Sequence, residues 1–327
     1  MRSYLIIQTA FIGDVILATS VAEALHAAFP EAMIDMVVRK GNEGLLEEHP
    51  FIRKVYVWDK KQAKFRSLAR TIREIRKTRY DRVINLQRFL SSGIMTLRAR
   101  TDSRAGFDKN PLSFTFSTRI HHVIGDGRHE TERNHALISD LTGPEVSKPK
   151  LYINEEHLQE VAPLKKHPYL CMAPASVWFT KQLPAEQWIR LIRACNPKTI
   201  IYMLGAPSDA ALCDEIIRKS GHNNLVNMAG KLSFLGSAAL MHDAEMNYVN
   251  DSAPLHLASA VNARVTSFFC STTPRFGFGP LSTYSIIAEA TPQPECKPCG
   301  LHGLGKCPKK HFRCALDIPV AQFAFTA

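Results

Sequence analysis

Several features that would classify this chain at once are missing. The 327 residues contain no apolar run near the roughly 20 residues that a membrane-spanning helix needs, so the sequence predicts no transmembrane segment. The apolar N-terminal region is interrupted by Gln8, Asp14 and Glu23 and has no convincing cleavage site after it. This favours the first strand of a cytoplasmic protein over a signal peptide. The first turn also lacks the G-x-G-x-x-G pattern of dinucleotide-binding folds.

What is present indicates a globular protein of two domains, which we place at 1–150 and 151–327. Hydrophobic residues make up 45% of the chain, enough for full cores. The net charge of +11 is uneven, because residues 1–150 hold 25 Lys and Arg against 17 Asp and Glu, and the remainder holds 16 against 13. The basic first half predicts an acidic partner: a nucleic acid, an anionic lipid or a phosphorylated glycan. For residues 60–79 alone, a solvated charged face is the preferred interpretation.

Strand and helix patterns alternate in both halves. Residues 4–8, 14–29 and 33–38 read as strand, helix and strand, and residues 169–172, 184–195 and 199–204 repeat that order. The alternation predicts an α/β protein with two Rossmann-like, doubly wound parallel-sheet domains facing a central cleft. Three irregular stretches are predicted as well. Residues 104–122 read as a loop-rich region, residues 142–164 as a linker with a short strand and helix, and residues 317–325 as a closing helix.

Two turns carry candidate functional residues. In the first, Gly13 lets the backbone bend and Asp14 follows at the carboxyl end of the sheet, where open α/β folds bind ligands. The alternative is that Asp14 is an N-cap without chemistry. In the second turn, Asp251 and Ser252 are suited to cap a helix that has Pro254 in its first turn, and such a helix N-terminus binds anions. The alternative there is an ordinary capped turn.

The eight cysteines form two groups. Cys171, Cys195, Cys213 and Cys270 are scattered through apolar segments, which predicts reduced core residues. The other four follow the spacing C-x2-C-x7-C-x6-C near the C-terminus; they are Cys296, Cys299, Cys307 and Cys314. Four thiolates at such spacing could hold a structural zinc, and free thiols or disulfides remain alternatives.

Several motifs, taken in order, resemble one known family. They are GDVILAT at 13–19, KQLP at 181–184, GAPSD at 205–209, NDSAPLHLA at 250–258 and Gly-Pro at 279–280. The ordered set resembles the heptosyltransferases of bacterial lipopolysaccharide core synthesis, the ADP-heptose-using GT-B enzymes of glycosyltransferase family 9. The resemblance implies transfer of heptose from ADP-L-glycero-D-manno-heptose to the Kdo or heptose of the inner core on lipid A, with inversion. It implies no cofactor or catalytic metal, and the absence of a D-x-D motif suits that scheme.

The resemblance also implies roles for individual residues. Asp14 matches the family's proposed general base and Lys181 its phosphate-contacting lysine, so these two are the predicted catalytic residues. For Lys181 the alternative is one exposed lysine among many, and for His256 it is a structural histidine. The first domain would bind the acceptor through Thr9, Gly13, Asp14 and Arg104. The second, with its cysteine-bearing tail, would bind the nucleotide sugar through Ser176, Thr180, Lys181, Asp209, Asp251, Ser252, Ala253, Pro254, His256, Thr272 and Thr273.

The implied partners are an ADP-sugar donor, the lipid A–Kdo core acceptor and an anionic membrane, with no nucleic acid. The protein would then work in the cytoplasm, peripherally on the inner membrane.

Gln182-Leu183 stands where the family usually has an aromatic residue, and Ala253 where it usually has glycine. These departures motivate a second hypothesis, a GT-B enzyme that uses another nucleotide sugar or glycan acceptor. The charge of the first half motivates a third, a non-catalytic module that binds an anionic glycan or nucleic acid.

Overall fold

The computed structural model describes residues 1–326 and separates the chain into two units. We call Met1–Tyr152 the first domain and Ile153–Ala327 the second domain. The boundary predicted after residue 150 lies just before this division. None of the helices within residues 1–326 is long and apolar enough to cross a membrane.

The first domain contains a six-stranded parallel sheet in the order β3-β2-β1-β5-β7-β8, and β4 pairs separately with β6. Its strands are β1 (Ser3–Ile7), β2 (Met33–Arg39), β3 (Ile52–Trp58), β4 (Arg79–Tyr80), β5 (Arg82–Asn85), β6 (Arg100–Thr101), β7 (Arg104–Phe107) and β8 (Thr118–Ile120). Its α-helices are α1 (Ile12–Ala28), α2 (Lys64–Ile75), α3 (Leu90–Arg98), α4 (Glu130–His135) and α5 (Ser139–Thr142).

The second domain contains another six-stranded parallel sheet, in the order β11-β10-β9-β12-β13-β14. Its strands are β9 (Tyr169–Ala173), β10 (Ile200–Met203), β11 (Leu225–Asn227), β12 (Met246–Asn250), β13 (Val265–Phe268) and β14 (Ser285–Ala288). Its α-helices are α6 (Glu155–Val161), α7 (Ala185–Ala194), α8 (Ala210–Ser220), α9 (Phe234–His242), α10 (Ala253–Ala260) and α11 (Arg313–Leu316).

Both sheets follow the same path. When the strands are numbered in chain order within each six-stranded sheet, both sheets have the order 3-2-1-4-5-6 of the doubly wound fold. The order reverses beside the first strand, between β1 and β5 in one domain and between β9 and β12 in the other. In such sheets ligands bind beyond the carboxyl ends of the strands at this reversal. We call this edge of each sheet its carboxyl edge.

The central strands are apolar because helices cover both faces of a parallel sheet. Leu5, Ile6 and Ile7 of β1 have no exposed surface, and neither do Val15 and Ile16 at the start of α1. The second domain has its own core, in which the rings of Trp188 and Phe268 meet edge to face with centroids 5.3 Å apart. Each sheet is therefore a rigid base for the loops at its carboxyl edge.

Three sequence predictions about irregular stretches are wrong in part. Residues 104–122 contain two short outer strands, β7 and β8. The sequence did not indicate them because such strands lack the apolar run of a central strand, and β8 has no buried residue at all. Residues 142–164 contain a helix, α6, but no strand. Residues 317–325 hold one short 3-10 turn, Val320–Phe323, and not a longer helix, and Val320 is buried in the core.

Candidate functional site

An ion pair lies at the carboxyl edge of the second sheet. Lys181 Nζ is 2.7 Å from Asp251 Oδ2, and the two side chains are only 16% and 5% exposed. Thr272 Oγ1 donates a hydrogen bond to the same carboxylate at 2.6 Å. Lys181 follows β9 and Asp251 follows β12, so the pair stands where the strand order reverses. Three predicted donor residues therefore form one buried polar network, which sequence reasoning had treated as separate contacts.

A buried asparagine fixes the loop that carries Lys181. Asn250, the last residue of β12, is fully buried; its Nδ2 donates to Pro174 O at 2.8 Å and its Oδ1 accepts from Leu183 N at 2.9 Å. These bonds tie both ends of the loop between β9 and α7 to β12. Gln182 adds a local bond, because its Oε1 accepts from Ser176 N at 3.2 Å. Sequence reasoning did not assign Asn250 a role, although its place directly before Asp251 was a signal.

Helix α10 begins beside the ion pair. Ser252 is its N-cap residue, with extended backbone angles but no side-chain capping bond, and Pro254 lies in its first turn, as predicted. The Ser252 hydroxyl is buried and has no hydrogen-bond partner within residues 1–326. The first N–H groups of a helix have no partner inside the helix, and they carry its positive dipole end. This corner thus combines an ammonium group, a hydroxyl group and a helix N-terminus, all suited to an anion.

The remaining predicted donor residues have side chains that make contacts within the protein. Asp209 caps the turn after β10, where its Oδ2 accepts from Ala206 N at 2.8 Å. Thr273 caps the 3-10 turn that follows β13, where its hydroxyl accepts from Arg275 N at 3.4 Å. Thr180 is buried, and its hydroxyl serves contacts inside the protein. His256 is buried inside α10, 6.4 Å from the Phe278 ring, which favours the structural interpretation of this histidine.

The carboxyl edge of the first sheet carries an acid instead of an ion pair. Asp14 is the third residue of α1, and its Oδ2 accepts a hydrogen bond from Phe11 N at 3.2 Å. Phe11 is the N-cap residue, so Asp14 lies inside the first turn and is not the N-cap. Burial and, after it, the negative charge of Glu130 raise the pKa of Asp14 to about 6, against the opposing effects of backbone hydrogen bonds and of Arg39. A carboxyl with this pKa is ionised at neutral pH and is a stronger base than an ordinary aspartate.

Two cations lie near this acid, and sequence reasoning missed both. Arg39 ends β2, and its guanidinium lies 4.8 Å above the Phe11 ring. Lys60 follows β3 and donates to the backbone oxygen of Thr9. Burial lowers the pKa of each, and the Asp14 charge acts in the opposite direction on both. Their position just after the strands next to β1 was the available signal.

Arg104 is not brought to this edge. It is the first residue of β7, in register with Val83, and its Nε donates to Thr96 O of α3 at 3.3 Å. Since parallel strands begin at the opposite edge of the sheet, Arg104 lies away from the carboxyl edge at which Thr9, Gly13 and Asp14 cluster. The structure gives no support to the predicted acceptor contact by Arg104.

The cysteines also form two structural groups. Cys171, Cys195, Cys213 and Cys270 are buried, as predicted for core residues. Near the C-terminus, Cys314 is buried and Cys296 Sγ lies 3.7 Å from His311 Nε2. Across residues 1–326, no three His, Cys, Asp or Glu side chains are grouped so that they could hold a metal ion. The structural zinc at Cys296, Cys299, Cys307 and Cys314 stays a prediction.

The chain is similar to a known family and to solved structures. A family model described as glycosyltransferase family 9 (heptosyltransferase) matches residues 68–301. Lipopolysaccharide heptosyltransferase 3 of Escherichia coli K12 is 28% identical over 280 residues, which cover 80% of each chain. The structure of E. coli ADP-heptose LPS heptosyltransferase II has a TM-score of 0.76 at 18% identity and covers 99% of both chains. That of E. coli heptosyltransferase WaaC with ADP has a TM-score of 0.71 at 21% identity, covering 88% of this chain and 93% of the other.

These similarities agree with the architecture. The solved structures share the fold, so the predicted class, an α/β GT-B protein with two Rossmann-like parallel-sheet domains, is confirmed. The family model spans well over half of the chain, which confirms the resemblance drawn from the ordered motifs. The protein is a glycosyltransferase, and it belongs to glycosyltransferase family 9 (heptosyltransferase).

Proposed function

We propose that the protein transfers heptose from ADP-L-glycero-D-manno-heptose to a Kdo or heptose of the lipopolysaccharide inner core, with inversion. The second domain holds the donor and the first supplies the base. Asp14 takes the proton of the acceptor hydroxyl as its oxygen attacks the anomeric carbon. The bond to the diphosphate breaks in the same step, and Lys181 stabilises the negative charge of the departing ADP.

The observation that carries this proposal is the Lys181–Asp251 pair at the start of α10. Asp251 holds the ammonium group in place at 2.7 Å, and two of the three N–H donors of Lys181 remain for phosphate oxygens. The buried Ser252 hydroxyl is one further donor at the same corner. A cation and a helix N-terminus can together do what a divalent metal does in other glycosyltransferases, so we propose that no cofactor is required. The similar E. coli structure named as WaaC with ADP supports a donor of this class.

The acceptor side of the proposal rests on Asp14, with Arg39 and Lys60 beside it. A pKa of about 6 leaves Asp14 ionised at neutral pH and able to accept a proton. The two cations favour an acceptor that carries carboxylate or phosphate groups, as lipid A with Kdo does. Thr9 precedes α1, and Gly13 is the second residue of that helix and not part of the bend that the sequence predicted there.

We further propose that the first domain lies against the anionic surface of the inner membrane, on its cytoplasmic face. Residues 60–79 contain nine Lys and Arg against one Glu, whereas the rest of residues 1–150 has 16 of each sign. The bases are Lys60, Lys61, Lys64, Arg66, Arg70, Arg73, Arg76, Lys77 and Arg79. All except Lys60 are exposed, and the Phe65 side chain among them is 79% exposed. Basic residues near an anionic leaflet contribute about 1 kcal/mol each.

The deciding experiment is a transfer assay with ADP-heptose and lipid A acceptors of defined core length. We expect product with one acceptor length and none with UDP-glucose as donor. Thermal shifts with ADP-heptose, ADP and UDP measure donor choice separately, because only a ligand that binds the folded state stabilises it by mass action. Stabilisation by UDP and not by ADP would overturn the ADP-heptose assignment in favour of another nucleotide sugar, the hypothesis motivated by Gln182 and Ala253.

The membrane contact has its own test. Changing Arg66, Arg70 and Arg73 together to Ser should weaken binding to phosphatidylglycerol vesicles by about a hundredfold. The matched control changes three exposed lysines of the second domain, Lys306, Lys309 and Lys310, and should leave vesicle binding unaltered. Equal losses in the two variants would contradict the proposed membrane-facing surface.

A further inference from the structure

The turn that carries Lys181 is poorly supported by its own residues. It is a single 3-10 turn, Phe179–Lys181, in a loop whose Val177 and Phe179 side chains are 80% and 51% exposed. A short turn with exposed apolar side chains buries too little surface to order itself. The orientation of Lys181 must therefore depend on what the turn packs against.

The C-terminal region supplies that support through two hydrogen bonds between Thr180 and Leu304. Thr180 N donates to Leu304 O at 3.1 Å, and Leu304 N donates to Thr180 Oγ1 at 2.7 Å. The same threonine hydroxyl accepts from Ser271 Oγ at 2.9 Å. A further contact is the stacking of the Phe179 and Phe312 rings, with centroids 5.3 Å apart. The turn is thus held by a stretch of chain more than 120 residues away in sequence.

Gly303 lies directly against the side chain of Lys181. It has φ +77, and a Cβ added there would lie 2.7 Å from Lys181 Cγ and 3.0 Å from Trp178 Cβ. Real Cβ atoms do not approach other atoms that closely, so a side chain at residue 303 would force the lysine to move. The backbone of Gly303 is therefore one wall of the space that the lysine stem occupies.

The other end of this stretch is anchored behind the ion pair. The fully buried ammonium of Lys297 donates to Phe269 O at 2.6 Å and to Glu289 Oε1 at 2.7 Å. Cys299 N donates to Ser271 O at 2.9 Å. Ser271 directly precedes Thr272, the residue that donates to Asp251. Residues 297–304 thus connect the loop of Thr272 to the turn of Lys181.

We propose that residues 297–304 are a strap that positions Lys181 for the leaving diphosphate, with Gly303 as its contact residue. The inference rests on the proposed function of Lys181. Neither Gly303 nor Leu304 touches the reacting atoms; both act through the lysine as positioning residues. The cysteine-bearing tail then has a mechanical role in donor binding that does not require a metal.

The direct test is Gly303→Ala, with binding of ADP measured by calorimetry. We expect the Kd for ADP to rise by about tenfold or more, because small misplacements of a binding group are costly. The matched control is Gly221→Ala in the same domain, since Gly221 has φ +71 and an added Cβ there meets nothing within 4 Å. The control carries the same backbone strain without touching Lys181 and should bind ADP normally. Equal Kd values in the two variants would overturn the strap.

A second pair of variants covers the case in which Gly303→Ala does not fold. Thr180→Val removes the hydroxyl that accepts from Leu304 N and Ser271 Oγ, whereas Thr180→Ser retains it. We expect the KM for ADP-heptose to rise in Thr180→Val, with the KM for the acceptor unchanged and with recovery in Thr180→Ser. A rise in both KM values, or none, would contradict a role confined to the lysine.

A double variant separates the strap from the function on which it rests. Lys181→Ala removes the lysine Cγ and Cδ against which a Cβ at residue 303 would press, so adding Gly303→Ala should lower ADP affinity much less than Gly303→Ala does when Lys181 is present. If Lys181→Ala alone binds ADP normally, the proposed role of Lys181 fails. If Lys181→Ala weakens ADP binding and Gly303→Ala does not, only the strap fails.

Discussion

The two sheets have the same strand order but different chemistry at their carboxyl edges. In the second domain, Lys181 and Asp251 lie 2.7 Å apart as a buried ion pair. In the first domain, Asp14 has a backbone hydrogen bond but no such direct ion pair, and Glu130 adds a negative charge nearby. An acid that is desolvated, near a second acid and without a direct ion pair has a raised pKa. One topology can thus present a proton acceptor in one domain and an anion-binding group in the other.

The largest effect is expected from Asp14→Asn. If Asp14 is the base, transfer should fall by about 10³-fold, because general base catalysis contributes on this scale. The Kd for ADP should remain unchanged, since we propose that the donor binds in the other domain. The control is Asp102→Asn in the first domain, whose side chain is 83% exposed. Turnover close to that of the control would remove Asp14 from the base role.

Folding stability should change in opposite directions at the two edges. Asp251→Asn leaves the ammonium of Lys181 without its carboxylate, and we expect a loss of about 3 kcal/mol, as for other buried ion pairs with one partner removed. Asp14→Asn should leave the free energy of unfolding at pH 8 unchanged or raise it. The raised pKa means that the folded state disfavours the charged form, so a neutral amide relieves that cost. Urea unfolding of both variants at pH 8 measures the difference, and losses of equal size would contradict the contrast.

The pH dependence of transfer follows from the same acid. Because the base must be ionised, kcat/KM should fall as the pH falls through about 6 and be about tenfold below its plateau at pH 5. The Kd for ADP should be measured over the same range as a control. An acidic limb near pH 4 would indicate an ordinary aspartate and contradict the raised pKa.

The smallest expected effect is that of Glu130→Gln on this profile. Removing the negative charge of Glu130 lowers the pKa of Asp14, so the acidic limb should move to lower pH while the plateau rate changes little. Glu130 also binds Arg133 at 2.8 Å, so melting temperatures of the variant must be recorded. Glu132→Gln on the same helix is the comparison variant. A shift to higher pH would contradict the assigned cause.

The sequence predicted much of this site because several of its signals are local. Pro254 in the first turn and Ser252 before it identify the start of α10 without reference to any other part of the chain. Gly13 and Asp14 were likewise found from their place after a buried strand. By contrast, Arg39 and Lys60 were missed, because their closeness to Asp14 depends on which strands are neighbours. Arg104 was assigned to the acceptor site without support from the structure, since its place at the start of β7 is known only once the outer strands are assigned.

By itself, the sequence determined the alternation of strands and helices in both halves and the residue types at the ends of the central strands. Those features depend on hydrophobic period and on turn residues, which act over a few positions. Only the tertiary structure decided that Lys181 pairs with Asp251, that Glu130 raises the pKa of Asp14 and that Gly303 lies against the lysine stem. Each of these depends on atoms from distant parts of the chain meeting within a few ångströms, and no local pattern encodes such a distance.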